Sequence, residues 1–121
     1  MKYMATKKKS IWITYDLGLK GNYSVLFTFL DNHKAIECGD GSAYFIYESE
    51  EALTSDDLIM QLKQELKEVI SVSSDRIYAI WRDDDEPSTK VKGRFLFGSR
   101  KTPPWNGYSN LYAGNQEDEA F

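Results

Sequence analysis

The stretch TSDDLIMQLKQELKEVI, residues 54–70, contains the strongest periodicity in the sequence. Its apolar side chains recur three and four residues apart, which predicts a helix over residues 55–71 with one buried face. Thr54, with Asp57 three residues later, approximates the capping box that begins many helices. A helix of this kind needs a second layer against which to bury its apolar face.

Strand patterns flank this helix on both sides. The segments KSIWITYD (9–16) and RIYAIWR (76–82) alternate between two faces, which is the period of a strand with one buried side. Aromatic and β-branched residues favour strands, so AYFIYE (43–48) and KVKGRFLF (90–97) are predicted as two more. Residues 34–38 are open to a short extra strand before a Gly-Asp-Gly-Ser turn.

A second helix is predicted after the first strand. Asn22 is a suitable N-cap for a helix that runs through residues 23–33. His33 ends this helix, where a cation would suit the negative end of the helix dipole. The predicted apolar stripe of this helix consists of Tyr23, Leu26, Phe27 and Leu30. Phe29 lies outside this stripe.

The order β-α-β-α-β-β predicts an α+β protein with a ferredoxin-like, two-layer sandwich. Two helices would cover one face of an antiparallel sheet of four or five strands. The domain is predicted to span residues 9–98, between a flexible basic N-terminus at 1–8 and a Pro-, Gly- and acid-rich tail at 99–121. Large apolar residues fall on both faces of the strands, so the open face predicts a partner surface. We expect a homodimer through that open face or through an edge strand.

Composition narrows the functional classes. The 121 residues carry a net charge of -4, which argues against a large nucleic-acid footprint. Cys38 is the only cysteine and His33 the only histidine, which excludes an intrachain disulfide and a multi-histidine metal site within one chain. We expect Cys38 to be a partly buried structural thiol. No apolar stretch has the length of a membrane span or a secretory signal, so a cytoplasmic protein is expected.

Asp16 is the single residue that most suggests chemistry. It ends the first predicted strand, directly before a loop that contains Gly18 and Gly21. A carboxylate in this position is a candidate ligand for a hard cation such as Mg²⁺. The alternative is that Asp16 starts the turn by accepting hydrogen bonds from nearby backbone N–H groups.

Basic residues collect near the C-terminal end of the predicted domain, close to the aromatic Trp105 and Tyr108. This combination predicts a contact with nucleic acid, and the alternative is that the charges keep an edge strand from aggregating. The acidic run Asp83–Glu86 lacks the spacing of a calcium-binding loop and predicts a solvated turn. The candidate nucleic-acid contacts are Lys92, Arg94, Arg100 and Lys101.

These motifs, in this order, resemble the small ferredoxin-fold CRISPR-associated endoribonucleases that also form the dimeric core of the spacer-integration complex, and their relative, virulence-associated protein D. The resemblance extends over residues 9–98. It implies that Asp16, facing its symmetry mate in a dimer, binds Mg²⁺ and supports phosphodiester hydrolysis. The resemblance is carried by IWITYD (11–16), SAYFIYE (42–48), the helix at 55–71 and DRIYAI (75–80).

Two functions of different classes remain open at this point. The first is an Mg²⁺-dependent endonuclease of CRISPR-associated or toxin type that acts on RNA or DNA, with Asp16 as its catalytic and metal-binding residue. The second is a catalytically silent module that binds another protein, such as an antitoxin or a mobile-element accessory factor. The acidic net charge and the small number of basic residues favour the second.

Overall fold

The computed structural model describes residues 7–70, 74–82 and 90–110. The described residues contain five strands and two α-helices in the order β-α-β-β-α-β-β, and a 3₁₀ turn at Lys67–Val69 extends the second helix. The strands are β1 (Lys7–Asp16), β2 (Ile36–Glu37), β3 (Ser42–Ser49), β4 (Arg76–Arg82) and β5 (Val91–Phe97), and the helices are α1 (Tyr23–Asn32) and α2 (Ser55–Leu66).

The five strands form one open sheet in the order β2-β3-β1-β4-β5, and every neighbouring pair is antiparallel. The predicted α+β class and antiparallel sheet are therefore confirmed. The extra strand considered for residues 34–38 is the two-residue β2 at the sheet edge. β1 begins at Lys7, two residues before the predicted start, because Lys7 and Lys8 continue the pairing with β3.

One face of the sheet is buried under the helices, as the alternation in β1 and β4 predicts. In β1, Ile11 and Ile13 are buried, whereas Trp12 between them is 41 % exposed. Side chains from both helices complete this single core, and the rings of Phe29 and Phe45 meet edge to face. The fully buried larger side chains include Ile11, Ile13, Leu26, Phe45, Leu58, Leu62, Leu66, Val69, Ile77 and Trp81.

The orientation of α1 differs from the predicted one. Leu26 and Phe29 are its buried residues, while Tyr23 and Phe27 of the predicted stripe are exposed. The predicted stripe was correct for Leu26, which is buried, and for Leu30, which packs against the core, and wrong for Tyr23, Phe27 and the omitted Phe29. The apolar residues of α1 extend beyond one face, so its periodicity did not separate Phe27 from Phe29. The contact of Phe29 with Phe45 shows which face packs on the sheet.

The start of α2 agrees with the sequence prediction. The Thr54 hydroxyl accepts a hydrogen bond from the backbone N–H of Asp57 at 3.1 Å, as a capping residue does. The regular helix ends at Leu66, earlier than predicted, and the 3₁₀ turn continues to the buried Val69.

No helix in the described ranges has the length and apolar character needed to cross a bilayer.

Candidate nucleic-acid interface

The face of the sheet opposite the helices carries a row of large side chains. The strand register places Ile36, Tyr44, Trp12 and Ile80 side by side across β2, β3, β1 and β4. The ring centroids of Trp12 and Tyr44 lie 4.8 Å apart, and the Tyr44 hydroxyl is 3.0 Å from the Ser10 hydroxyl. This open face therefore presents aromatic surface to solvent.

Two arginines and two aromatic rings form a cluster on the same face, at the β4–β5 side. Tyr78 and Phe95 are register partners and meet edge to face, with centroids 4.8 Å apart. The guanidinium carbon of Arg100 lies 5.8 Å from the Tyr78 centroid and 5.5 Å from the Phe95 centroid. The guanidinium carbon of Arg76 lies 6.0 Å from the Phe95 centroid. We refer to these four residues as the arginine–aromatic cluster.

Gly98 directs the chain back toward this cluster after β5 ends. Its φ is +82°, a conformation that glycine adopts without steric cost. A Cβ at this position would lie 2.8 Å from the carbonyl oxygen of Asp75 and 3.1 Å from the Cα of Arg76. The close approach and the positive φ together bring the next residues, including Arg100, over the open face.

The cluster lies at the middle of a groove. A hollow of about 250 Å³ on one side includes Thr14 and Asp16 in its lining. A second hollow, of about 400 Å³, lies toward Pro104 and Trp105. The two share three lining residues, Arg76, Phe95 and Arg100, so they adjoin at this end of the sheet, and we refer to them together as the groove.

Asp16 lies at the end of β1, directly opposite Arg76 of β4. Its Oδ2 accepts a hydrogen bond from Nη2 of Arg76 at 3.0 Å, and its side chain is 62 % exposed. The described residues of one copy contain no group of three or more His, Cys, Asp or Glu side chains that would hold a metal ion. At this point one copy therefore offers Mg²⁺ a single carboxylate, and an arginine already binds it.

The adjacent loop is anchored by a buried carboxylate. Asp75 is 1 % exposed, and its Oδ1 accepts a hydrogen bond from the backbone N–H of Gly18 at 2.7 Å. The backbone N–H of Asn22 donates to the carbonyl oxygen of Val69 at 3.0 Å. These contacts fix the connection between β1 and α1, and so the end of β1 that carries Asp16.

The four predicted basic contacts divide between the two faces. Arg100 and Lys101 lie at the groove. Lys92 and Arg94 point to the helix side instead, where Arg94 forms a 3.1 Å ion pair with Asp56 and Nζ of Lys92 lies 3.5 Å from the Ser55 hydroxyl. The groove thus brings Asp16, Arg100 and Lys101 together and leaves Lys92 and Arg94 apart. The acidic run at 83–86 lies outside the described residues.

Sequence reasoning missed Arg76, Tyr78 and Phe95 as parts of a site. They occur in ordinary strand segments, and no spacing along the chain links them to Asp16. The signal that could have found them is the pairing of β1 with β4, since it places Arg76 opposite Asp16 and Tyr78 opposite Thr14. That register follows only once the order of the strands in the sheet is known.

A second polar cluster lies between the helices and β3. The Tyr47 hydroxyl lies within hydrogen-bond distance of Oε1 of Gln61 at 2.8 Å and Oε2 of Glu65 at 3.0 Å, and Nε2 of His33 is 3.4 Å from Oε1 of Glu65. Burial, followed by the nearby Glu65 carboxylate, raises the pKa of Tyr47. His33 is the C-cap of α1, as predicted, and its ring stacks on Tyr47. The cluster joins both helices to the sheet.

Cys38 is exposed rather than partly buried, so that prediction was wrong. Its thiol lies 3.4 Å from the carbonyl oxygen of Ile36. The physical reason is the shortness of β2, which ends at Glu37 on the edge of the sheet and leaves the next residue in a surface turn.

Comparisons of the chain with protein-family models, with curated proteins and with solved structures give no match.

Proposed function

We propose that this protein binds single-stranded nucleic acid on the open face of its sheet. The observation that carries the proposal is the groove in which Arg100 lies over the rings of Tyr78 and Phe95. Proteins bind single strands by combining a positively charged groove, which follows the phosphates, with aromatic rings on which bases stack. Arginine adds both charge and a planar surface to such a site.

The architecture supports this proposal. Two β-α-β units with the central order β2-β3-β1-β4 agree with a ferredoxin-like sandwich, to which β5 adds a fifth strand. In such a sandwich the helices occupy one face and leave the other available for a ligand. The exposed Trp12 and its neighbour Tyr44 extend the aromatic surface beyond the groove.

The local charge also supports it, although the whole chain is acidic. Arg76, Arg100 and Lys101 line the groove, and among the described lining residues Asp16 is the one acid. Asp56 lies on the helix side, where it neutralises Arg94. The net charge of -4 therefore does not describe the groove, where a polyanion would meet an excess of cations.

Tyr78→Ala tests the binding proposal. Loss of one stacking ring costs about 1–3 kcal/mol, so the affinity for a labelled single-stranded oligonucleotide should fall by roughly 5- to 150-fold. Met60→Ala is the matched control, because Met60 is exposed on α2 at the helix side. Fluorescence anisotropy with single-stranded RNA, single-stranded DNA and duplex DNA measures the effect. Equal affinities of the two variants, or absence of binding by the wild type, would favour the protein-interaction module instead.

Metal-dependent cleavage of the bound strand is the second candidate function. It is favoured by one observation, the position of Asp16 in the same groove as the arginine–aromatic cluster. A bound Mg²⁺ would lower the pKa of a water molecule and offset charge on the phosphate. Because one copy offers a single carboxylate there, this function requires a homodimer in which a second copy supplies its own Asp16. Face-to-face pairing through the open side of the sheet meets this requirement, because Asp16 lies there, whereas pairing through the edge strand β5 would hold the two copies of β1 about five strand spacings apart.

Asp16→Asn separates cleavage from binding. The substitution preserves the shape of the side chain and removes the carboxylate that a metal requires, while the aromatic surface is unchanged. If the protein is a nuclease, the wild type cleaves labelled RNA or DNA in Mg²⁺, EDTA stops it, and Asp16→Asn binds without cleaving. Analytical ultracentrifugation of the same samples reports whether they are dimers. A wild-type dimer that binds but never cleaves would exclude the nuclease and leave the binding function standing.

A further inference from the structure

We infer that Arg76 and Arg100 together form a binding site for the phosphate group of a phosphate ester, and that Asp16 is the positioning residue of this site. The inference deepens the proposed function and rests on it for the nature of the ester, a phosphodiester of a nucleic-acid backbone. The site lies where the two hollows of the groove meet, because both include Arg76 and Arg100 in their linings.

The position of the two guanidinium groups beside one ring supports the inference. Their carbon atoms lie 6.0 Å and 5.5 Å from the centroid of the same ring, that of Phe95. Arg100 is exposed, so its charged end is open to a ligand. An anion bound beside this ring would accept hydrogen bonds from both guanidinium groups.

Both arginines also have donors that the protein leaves unused. Nε of Arg76 has no hydrogen-bond partner among the described residues, but it is buried, so a ligand would reach Arg76 through its terminal nitrogens. Asp16 accepts a hydrogen bond from Nη2 of Arg76. Within the described part of the chain, Arg100 forms cation–π contacts and no ion pair. A guanidinium has five N–H donors, so both arginines can still serve a ligand that has several acceptor oxygens.

The ligand chemistry follows from these donors and from the walls of the groove. Phosphate oxygens match the planar donor pattern of arginine, and a tetrahedral phosphate can accept from two arginines at once. Binding of a cationic ligand is disfavoured, because three basic side chains and one carboxylate line the groove. The exposed ring of Trp105 in one hollow and Tyr78 in the other provide surfaces for the bases on either side of the phosphate.

Asp16 holds Arg76 in place for this ligand. The two residues are register partners at the ends of β1 and β4, and the 3.0 Å ion pair fixes the guanidinium at the groove. Asn at position 16 keeps an oxygen acceptor for Arg76 and removes a negative charge that repels the phosphate. Ala removes both, so Asp16→Ala should bind phosphate less tightly than Asp16→Asn, and the difference between the two measures the positioning effect.

Titration with inorganic phosphate, followed by the NMR signals of the arginine Nε–Hε groups, tests the inference without any nucleic acid. The Arg76 and Arg100 signals should shift saturably, and the Arg94 signal should not.

Arg76→Lys keeps the charge and loses the donor pattern, and we expect a roughly tenfold loss of phosphate affinity. Arg100→Lys serves as a second variant should the first disturb the fold. Asp16→Asn should bind phosphate up to roughly fivefold more tightly than the wild type, because it removes a like charge at about 4 Å from the phosphate in water. Asp16→Ala should bind phosphate less tightly than Asp16→Asn.

The outcomes separate this inference from the proposed function. Absence of a saturable shift, or equal shifts of the Arg94 signal, would overturn the phosphate site even if oligonucleotides bind elsewhere on the open face. Equal phosphate affinity of wild type and both lysine variants would overturn it as well. Saturable phosphate binding at Arg76 and Arg100, together with failure to bind any oligonucleotide, would support the site and reject the nucleic acid as its ligand.

Discussion

Gly93 is the residue on which the shape of the arginine–aromatic cluster depends most directly. It lies in β5 opposite Ile80, and the ring of Tyr78 extends across it. A Cβ at position 93 would overlap the Tyr78 hydroxyl and lie 2.9 Å from its Cζ atom. The absence of a side chain at Gly93 therefore leaves the space that the Tyr78 ring occupies.

Gly93→Ala is predicted to displace the Tyr78 ring and to lower the affinity for single strands by about fivefold or more, the low end of the cost of losing one stacking surface. Overpacking should also lower the free energy of unfolding by about 1 kcal/mol. Anisotropy and urea denaturation measure the two effects. In a Tyr78→Ala background the same substitution should change neither, since the overlapping ring is absent, and additive effects would contradict this account.

Tyr47 connects β3 to α2, and its ionisation links stability to pH. Burial, and then Glu65, raises its pKa above the ordinary value of 10.0. Because the folded state resists ionisation of this hydroxyl, its stabilising effect is complete below pH 10 and is lost as the pH rises above that value.

Tyr47→Phe is predicted to lower the free energy of unfolding by about 1 kcal/mol at pH 7, through loss of the hydroxyl hydrogen bonds. The difference between wild type and variant should shrink as the pH rises above 10. Urea denaturation of both proteins at pH 7 and at alkaline pH gives this difference, and the remaining tyrosines titrate in both. A difference that stays constant or grows with pH would contradict the assigned contacts.

At the scale of the elements, the sequence predicts the strands and α2 well. The alternation in β1 and β4 and the Thr54 cap depend on neighbours along the chain, and each is present in the structure. The face of α1 was predicted only in part, because Leu26 and Leu30 lie on the core side as expected, whereas the choice of Phe29 over Phe27 depends on the contact with Phe45. The groove could not be predicted from the sequence either. It joins residues about 60 positions apart in sequence, such as Asp16 and Arg76, which only the strand order brings together.

The turn after β5 places the C-terminal segment over the sheet, and Gly98→Ala should disturb it. The positive φ alone costs about 1–2 kcal/mol for a residue with a Cβ, and overlap with the Asp75 carbonyl adds to this. Gly39→Ala is the matched control, since Gly39 also has a positive φ but a Cβ there meets nothing within 4 Å. We expect Gly98→Ala to be the less stable variant and the only one of the two with weakened oligonucleotide binding. Equal effects would show that the close approach at Gly98 does not position Arg100.

At the scale of the whole molecule, the separation of charge predicts how binding responds to salt. Three cationic side chains at the groove, each neutralising one phosphate, give a slope of roughly -2 for log affinity against log salt on a single strand. Anisotropy titrations over a range of salt concentrations measure the slope. A slope near zero would mean that the arginines do not contact phosphate, whereas a slope several times steeper would require basic groups outside the groove.

The most direct test of the account compares two arginines of equal charge on opposite faces. Arg100→Gln removes a cation from the groove, and Arg94→Gln removes one from the helix side, where Asp56 holds it. We expect Arg100→Gln to weaken binding of a fluorescent single-stranded oligonucleotide by about fivefold or more, and Arg94→Gln to change it by less than about twofold. Equal losses in the two variants would show that binding depends on net charge rather than on the open face, and this would contradict the central claim.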